Sequence, residues 1–213
     1  TMIQLTVERI LPLVEMEDIY IATNKDYKPL VMEQLPGIPE RNILCEPVGR
    51  NTAPCIGLGA IHISKKYDDA MMIVLPSDHL IKFNNMFLTT LKEACEVAEK
   101  EENLVTMGIT PDYPETGYGY IKFNPHVMEG RAYQVERFVE KPNLEVAKEY
   151  LATEEYLWNS GMFVWKVSTI MKKLETLMPE TYAHLINIKK TIDTPDEEAV
   201  LTTEFFAMPS QSI

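Results

Sequence analysis

The stretch Ala70-Met71-Met72-Ile73-Val74-Leu75-Pro76-Ser77-Asp78-His79 decides the fold class. Five apolar residues run without a break from Met71 to Leu75, and the chain turns polar directly after Pro76. A short, continuous apolar run that ends at a turn signal is typical of a strand buried on both faces in the middle of a mostly parallel sheet. Helical patterns at 52–66 and 86–101 flank this run, so the sequence predicts a helix–strand–helix unit.

Asp78 follows directly after this predicted strand. In open α/β sheets, ligands bind beyond the carboxyl ends of the strands. A carboxylate at that edge is suited to hold a divalent cation over phosphates, because Mg²⁺ is commonly bound by one or two carboxylates together with substrate oxygens. The alternative is that residues 76–79 form a plain turn in which Asp78 caps the next element. Position alone leaves both interpretations open.

The composition is that of one globular domain. With 213 residues and a hydrophobic content of 46%, the chain is long and apolar enough to bury a core. The formal net charge of −12 argues against a nucleic acid as partner. No apolar run reaches the length that crosses a bilayer and no signal-peptide pattern opens the chain, so we expect no membrane partner. Cys45, Cys55 and Cys95 show no paired metal spacing, which fits free thiols in a reducing cytoplasm.

Short apolar runs alternate with helical stripes along the chain. A capping box at residues 1–4 opens the first helix, which ends near Pro12. Strands are predicted at 18–23, 42–45, 71–75, 104–109, 117–123, 131–140 and 161–165. Further helices are predicted at 24–35, 52–66, 87–101, 144–152, 168–178, 180–191 and 195–206. This order predicts an α/β fold, namely a three-layer α/β/α Rossmann-like sandwich with a mixed, mostly parallel central sheet.

The segment from Glu46 to Pro54 is the first candidate for ligand binding. Gly49 permits a sharp turn, and the helix that we expect to begin after Asn51 offers unpaired N–H groups to an acceptor. Glu46 presents only acceptor oxygens, which would suit the ring N–H and amino donors of guanine. The alternative is that Glu46 and Arg50 form a surface ion pair and that Asn51 is only a helix cap.

Three further segments carry polar residues near predicted strand ends. The paired glycines Gly117 and Gly119 permit close approach of a ligand, and a turn entering a strand explains them as well. Glu140 and Lys141 combine an acid and a base, which could bind the hydroxyls and the phosphate of a sugar phosphate, or simply be two solvated charges. Asn159 offers an amide that could reach a hydroxyl or cap a turn.

These motifs, in this order, resemble those of the mannose-1-phosphate guanylyltransferases, which are nucleotidyltransferases of the sugar-nucleotide pyrophosphorylase group. The motifs are Glu-Pro-x-x-x-Asn-Thr-Ala-Pro at 46–54, Leu-Pro-Ser-Asp-His at 75–79, Glu-Thr-Gly-Tyr-Gly-Tyr-Ile at 115–121, Val-Glu-Lys-Pro at 139–142 and Trp-Asn-Ser-Gly-Met-Phe-Val-Trp at 158–165. The resemblance extends over nearly the whole chain. It implies a nucleotidyltransferase fold and the transfer of GMP from GTP to mannose 1-phosphate, which gives GDP-mannose and pyrophosphate, with Mg²⁺ as cofactor.

The resemblance also implies a role for each matching residue. The nucleotide-binding residues would be Glu46, Asn51, Thr52, Ala53, Ser77 and Asp78. The sugar-phosphate-binding residues would be Gly119, Glu140, Lys141 and Asn159. Asp78 would be the metal ligand, Lys141 would bind the sugar's phosphate, and these two would act directly in the chemistry. Residues 1–110 would then be the nucleotide-binding part and residues 111–213 the sugar-phosphate-binding part of one catalytic domain.

The chain departs from the family pattern at both ends. The family opens with a strand, a Gly-rich loop that contains a catalytic arginine, and a Pro-Lys-Gln-Phe segment, all before the helix that begins here at Thr1. It also continues beyond Ile213 with an aspartate that supplies a second metal ligand. We therefore expect a catalytic domain truncated at both ends, which lacks turnover on its own because the groups that stabilise the triphosphate are absent.

Two other functions are alternatives. One is a pyrophosphorylase for another sugar or base, which would use UTP or dTTP. The other is a non-catalytic module that binds a sugar nucleotide. For the assembly and location we expect GTP and mannose 1-phosphate as small-molecule partners and a cytoplasmic protein, and we keep a homodimer as a hypothesis.

Overall fold

The computed structural model describes residues 1–213, apart from the side chain of Glu129. The described helices are α1 (Met2–Ile10), α2 (Lys28–Gln34), α3 (Thr52–Lys66), α4 (Asn84–Lys100), α5 (Leu144–Thr153), α6 (Val167–Leu177), α7 (Pro179–Thr191) and α8 (Glu197–Ala207). The described strands are β1 (Ile21–Asn24), β2 (Ile43–Glu46), β3 (Met71–Val74), β4 (Val105–Ile109), β5 (Tyr120–Glu129), β6 (Ala132–Val139) and β7 (Tyr156–Lys166). The predicted α/β class is confirmed.

Local sequence signals set where several helices begin. At the start of α1, Thr1 and Gln4 form the predicted capping box, in which the Thr1 amino group donates to Gln4 Oε1 at 2.8 Å. At the start of α3, Asn51 Oδ1 accepts the N–H of Thr52 at 2.8 Å. Pro179 opens α7, where its missing N–H costs no helical hydrogen bond. Both predicted caps are therefore confirmed.

The strands form two sheets. β1 and β2 pair in parallel, with Ile21 opposite Ile43. The other five strands form one sheet in the order β3-β7-β5-β6, with β4 also paired to β7. The registers of β4–β7, β5–β6 and β5–β7 are antiparallel. These antiparallel pairs correct the expectation of a mostly parallel central sheet, and the parallel pair β1–β2 lies in the separate two-stranded sheet.

The length of the connections explains the antiparallel pairs. β5 and β6 are joined at Gly130, whose φ of 61° suits a tight turn, and strands joined by a tight turn are antiparallel. Parallel neighbours need a longer crossover. The β1–β2 pair has one, because α2 lies between these two strands in the chain.

β3 is not the central strand that its apolar run predicts. It stands at one end of the strand order, and of its four residues only Met72 is buried. The centre is β7, an 11-residue strand that pairs with β3, β4 and β5. The sequence predicts a strand at the right place but not its neighbours in the sheet. An apolar run indicates that residues are buried, and it does not indicate which elements bury them.

The chain divides into two compact units. The first unit comprises Thr1–Met72, Ser77–Leu88 and Lys166–Ile213, and the second comprises Ile73–Pro76 and Thr89–Trp165. This division does not follow the predicted functional boundary at residue 110, and the functional assignment of those two parts stays a prediction. Among the residues that the structure describes, no helix combines the length and the apolar character needed to span a bilayer.

Each unit has its own buried cluster. In the first unit, one cluster contains Val7, Ile19, Val31, Leu35, Ile38 and Ile43. In the second unit, a cluster rich in aromatic residues contains Tyr120, Ala147, Tyr156 and Trp158. Tyr150 stacks on Tyr156 with a distance of 3.8 Å between ring centroids, which ties α5 to the sheet. These clusters fix the strand ends on which the candidate site residues lie.

Candidate functional site

Glu46 lies at the end of β2 and is half-buried. Burial raises the pKa of its carboxyl group, and the neighbouring Cys55 thiol opposes this shift as a hydrogen-bond donor. Burial, with the Glu46 charge in second place, raises the pKa of Cys55 to about 12, so this thiol stays protonated. Glu46 Oε1 is buried without a hydrogen-bond partner among the described residues. A buried carboxylate oxygen with no partner fits a ligand that brings an N–H donor.

Arg50 has a different partner from the one considered for it in the sequence. Its Nε donates to the carbonyl of Phe205 at 3.1 Å, and its Nη2 donates to the carbonyl of Phe206. The alternative of an ion pair between Glu46 and Arg50 is therefore wrong. The Arg50 guanidinium therefore does not neutralise the charge of the Glu46 carboxylate.

The turn at Asn51 has an unusual backbone conformation. Its φ of 68° and ψ of −170° fall in a region that is essentially restricted to glycine. The N–H of Ala53 donates to the carbonyl of Gln211 at 3.0 Å, and Thr52 Oγ1 accepts the N–H of Ile213 at 3.0 Å. Ala53 is fully buried. Because the first N–H groups of α3 are engaged within the chain, a nucleotide contact by Thr52 and Ala53 stays a prediction.

Ser77 and Asp78 lie in an exposed turn after β3. The Ser77 carbonyl accepts the hydroxyl of Thr6 at 3.5 Å, a long hydrogen bond. The described residues contain no group of three or more His, Cys, Asp or Glu that could hold a metal ion. A single exposed carboxylate such as Asp78 fits Mg²⁺ only when substrate oxygens and water supply the other ligands. It does not fit a cation cage made of protein ligands.

The four predicted sugar-phosphate residues lie together in the second unit. The backbone N–H of Asn159 donates to the carbonyl of Gly119 at 2.8 Å. A Cβ atom placed on Gly119 would lie 3.0 Å from Glu140 Oε2 and 3.6 Å from Asn159 Cβ. Lys141 Nζ lies 3.5 Å from Glu140 Oε1. The side chains of Glu140, Lys141 and Asn159 thus lie near Gly119. Because Gly119 has no Cβ atom, space remains beside them.

The backbone and exposure of this cluster suit ligand binding. The side chains of Glu140 and Lys141 are 74% and 63% exposed, so both charged groups are accessible. Lys141 has a φ of 40°, which is left-handed and uncommon for a residue with a side chain. Asn159 Oδ1 accepts the N–H of Gly161 at 3.1 Å, as in the turn-capping alternative. This hydrogen bond uses the amide oxygen of Asn159 and does not involve its NH₂ group.

Sequence reasoning missed several residues near these sites. Cys55 is one turn after Asn51 on α3, and helical spacing alone would have indicated that it shares a face with the start of the helix. Tyr113 and Tyr118 contact Trp158 edge-on, with ring-centroid distances of 4.9 and 5.5 Å. No sequence pattern indicates a role for Gln211, because its backbone hydrogen bonds go to residues that are far away in the sequence.

A separate cavity of about 780 Å³ lies in the second unit. Its lining includes Ala94 and Val97 on α4 and Val127 and Tyr133 on the β5–β6 hairpin. None of the predicted site residues lines it. The candidate residues are thus on strand ends and turns of the two units, and not in this cavity.

Comparison with known proteins assigns the fold and these motifs to one family. The family profile described as nucleotidyl transferase matches residues 1–194, and the chain belongs to this family. The mannose-1-phosphate guanylyltransferase of Salmonella muenchen is 40% identical over 100% of this chain and 46% of that protein. The mannose-1-phosphate guanylyltransferase of Escherichia coli strain K12 is 39% identical over 100% of this chain and 46% of that protein. The chain thus spans less than half the length of these relatives.

Solved structures agree with the family. A crystal structure described as mannose-1-phosphate geranyltransferase from Thermus thermophilus aligns with a TM-score of 0.87 and 30% identity, over 100% of this chain and 59% of that chain. One described as mannose-6-phosphate isomerase from Helicobacter pylori aligns with a TM-score of 0.80 and 26% identity, over 100% of this chain and 82% of that chain. The nucleotidyltransferase fold is therefore confirmed.

Proposed function

We propose that the protein containing this chain transfers GMP from GTP to mannose 1-phosphate, which yields GDP-mannose and pyrophosphate. Relatives about 40% identical over the whole chain are named for this activity, and they support the reaction class and both substrates. The structural observation that carries the proposal is the buried Glu46 oxygen without a partner, because it selects a base that presents N–H donors.

On the nucleotide side, Glu46 accepts hydrogen bonds from the donor edge of guanine. Uracil and thymine present a carbonyl–N–H–carbonyl pattern, so they would place carbonyl oxygens against a carboxylate and leave it poorly paired. A site built to bond particular donors discriminates strongly against an analogue that lacks them, since its buried polar groups are then left unpaired. Glu46 therefore acts as a specificity residue for GTP.

On the sugar side, the cluster at Gly119 binds mannose 1-phosphate. Glu140 accepts hydrogen bonds from sugar hydroxyls, and the NH₂ of Asn159 donates to another hydroxyl or ring oxygen. Lys141 binds the phosphate through its ammonium, whose Nζ is 3.5 Å from Glu140 Oε1. Gly119 leaves the space that the sugar ring needs.

The reaction is an in-line displacement at the α-phosphorus of GTP. A phosphate oxygen of mannose 1-phosphate forms the new P–O bond, and the bond from the α-phosphorus to the bridging oxygen breaks, so that pyrophosphate leaves with the bonding electron pair. Lys141 orients the attacking phosphate and offsets its negative charge. Mg²⁺ held by Asp78 and substrate oxygens would neutralise charge on the triphosphate.

We further infer a cytoplasmic location and keep a homodimer as a proposal. The three cysteines Cys45, Cys55 and Cys95 are all unpaired, which supports a reducing compartment. Sedimentation of the purified protein at several concentrations tests the assembly. A single species at the monomer mass throughout would reject the dimer.

The direct test is a product assay on the natural protein that contains these residues. GTP, UTP and dTTP are each supplied with mannose 1-phosphate and Mg²⁺, and sugar nucleotide and pyrophosphate are quantified. We expect GDP-mannose and pyrophosphate in equal amounts from GTP, at rates well above those with UTP or dTTP. Preference for UTP or dTTP would favour another pyrophosphorylase, and binding of GDP-mannose without any turnover would favour a non-catalytic module.

A further inference from the structure

The turn before α3 holds a residue in a costly backbone conformation. Asn51 has φ 68° and ψ −170°, and a side chain in this region is strained. Such a conformation persists only when the surrounding contacts hold it. The turn also joins Glu46, at the end of β2, to Cys55 on α3, and these two side chains interact. Asn51 therefore lies in the segment that connects Glu46 to the start of the helix.

On one side of Asn51, the residue Arg50 is held at both its side chain and its backbone. Its guanidinium donates to the carbonyls of Phe205, at 3.1 Å, and Phe206, which lie in the last turn of α8. Carbonyls in the last turn of a helix have no partner within it, and a cation there is favourable. The Arg50 carbonyl accepts the N–H of Gln211 at 3.2 Å.

On the other side of Asn51, the same glutamine holds the first turn of α3. The Gln211 carbonyl accepts the N–H of Ala53 at 3.0 Å. Its side-chain Oε1 accepts the hydroxyl of Thr181 at 3.1 Å, and Thr181 is fully buried on α7. Gln211 therefore connects both sides of the strained residue to the packed interior of the first unit.

We propose that Arg50 and Gln211 are positioning residues for the guanine site, because they hold Asn51 in its strained conformation and so keep Glu46 and α3 at the spacing that the base requires. The proposal rests on the proposed function for its ligand. Arg50 acts through Asn51 and does not contact the nucleotide, because its guanidinium already donates hydrogen bonds to two carbonyls of α8. The alternative is that Arg50 binds a phosphate of GTP directly.

The test is a double-mutant cycle that joins Arg50→Ala with Asn51→Gly. Glycine adopts the Asn51 conformation without strain and is tolerated at a helix N-cap. Calorimetric titration with GTP should show that Arg50→Ala weakens binding at least about fivefold in the wild-type background but less than about twofold in the Asn51→Gly background, because coupled residues are not additive. Equal losses in both backgrounds, or no loss in either, would overturn the positioning role.

Two controls separate this role from general damage. Arg131→Ala removes the same charge from an exposed residue of the second unit, whose partner is Glu93 at 3.2 Å, and it should leave GTP affinity unchanged. Mannose 1-phosphate affinity should not change in Arg50→Ala. If Arg50→Ala does not fold, Thr181→Val removes the hydroxyl that holds Gln211 and should weaken GTP binding in the same background-dependent way. Equal losses for Thr181→Val in the wild-type and the Asn51→Gly backgrounds would contradict the proposal.

A second readout does not depend on GTP. Hydrogen exchange at the Ala53 amide should be faster in Arg50→Ala and return toward the wild-type rate in the double variant, because the turn is then held without strain. An unchanged exchange rate in Arg50→Ala would overturn the holding role even if GTP binding falls. Failure of the wild-type chain to bind GTP would count against the proposed function, and the exchange rates would still decide whether Arg50 holds the turn.

Discussion

Glu46 and Asp78 are two carboxylates near strand ends whose surroundings suit them to different ligands. Glu46 is half-buried, its pKa is raised by burial, and one of its oxygens has no partner among the described residues. Asp78 is exposed in a turn. A desolvated acceptor favours binding of a ligand with matching hydrogen-bond donors, whereas an exposed carboxylate suits a hydrated cation. The difference in burial therefore supports the two different roles that we propose for these carboxylates.

At Glu46 the buried charge should cost stability. Because its folded-state pKa is raised above the ordinary value of 4.5, the native state binds the proton more tightly than the unfolded state does. Stability from this group is therefore greatest at low pH and is lost as the pH rises through the raised pKa. Glu46→Gln should melt at a higher temperature than the wild type at pH 8, and the difference should vanish near pH 4, as measured by calorimetry at several pH values. A Gln variant that is less stable at pH 8 would show that the carboxylate is well satisfied.

Asp78→Asn distinguishes a metal ligand from a cap. Asparagine caps a turn or helix as well as aspartate does, but it is a weaker ligand for a hard cation. We expect the melting temperature to change little while the Mg²⁺ concentration needed for half-maximal activity rises at least about tenfold. A variant that loses stability but keeps the wild-type Mg²⁺ dependence would support the capping role.

Among the elements, the β5–β7 pair brings together the residues of the predicted sugar-phosphate cluster. It places Gly119 beside Asn159 through a backbone hydrogen bond of 2.8 Å, and β6 brings Glu140 to the same point. Gly119→Ala would put a methyl group 3.0 Å from Glu140 Oε2, so the carboxylate must move. We expect the KM for mannose 1-phosphate to rise roughly tenfold with little change in the KM for GTP, as expected when one substrate loses binding contacts.

Gly117→Ala is the matched control for this substitution. A Cβ atom there would lie 3.1 Å from Glu115 Oε1, so it crowds a carboxylate that is not part of the predicted site. Steady-state kinetics of the two variants should therefore differ. Equal effects on mannose 1-phosphate would mean that crowding anywhere in this loop is disruptive and that Gly119 has no special role.

Element positions could be predicted largely from local signals. The capping box at Thr1, the cap at Asn51 and the apolar run at Met71–Leu75 all mark elements that the structure contains. Strand neighbours could not be predicted this way, because the apolar run of β3 does not encode its place at one end of the strand order. The Asn51 conformation could not be predicted from the sequence either. It depends on hydrogen bonds that its neighbours make to Gln211 and Phe205, which are distant in the sequence.

At the scale of the whole molecule, stability should also fall in mild acid. Burial lowers the pKa of His62 on α3, and the nearby Glu197 and Asp193 only partly offset this. The native state therefore prefers neutral His62, so stability is full above about pH 6.5 and is lost as the pH falls toward the lowered pKa. His62→Gln should flatten the dependence of the unfolding free energy on pH between pH 7 and pH 5. An unchanged slope would mean that other groups govern acid stability.

The central proposal is that Glu46 selects guanine in the protein that contains this chain. The measurement is calorimetric titration of the wild-type chain and of Glu46→Gln with GTP and with UTP in the presence of Mg²⁺. Replacing one acceptor oxygen with a donor should cost roughly 1.5–3 kcal/mol, as for a hydrogen bond to a charged group. We therefore predict that GTP affinity falls about tenfold or more in the variant, that the preference for GTP over UTP shrinks accordingly, and that mannose 1-phosphate binding stays unchanged. An unchanged preference for GTP in Glu46→Gln would contradict the account and remove Glu46 from the base site.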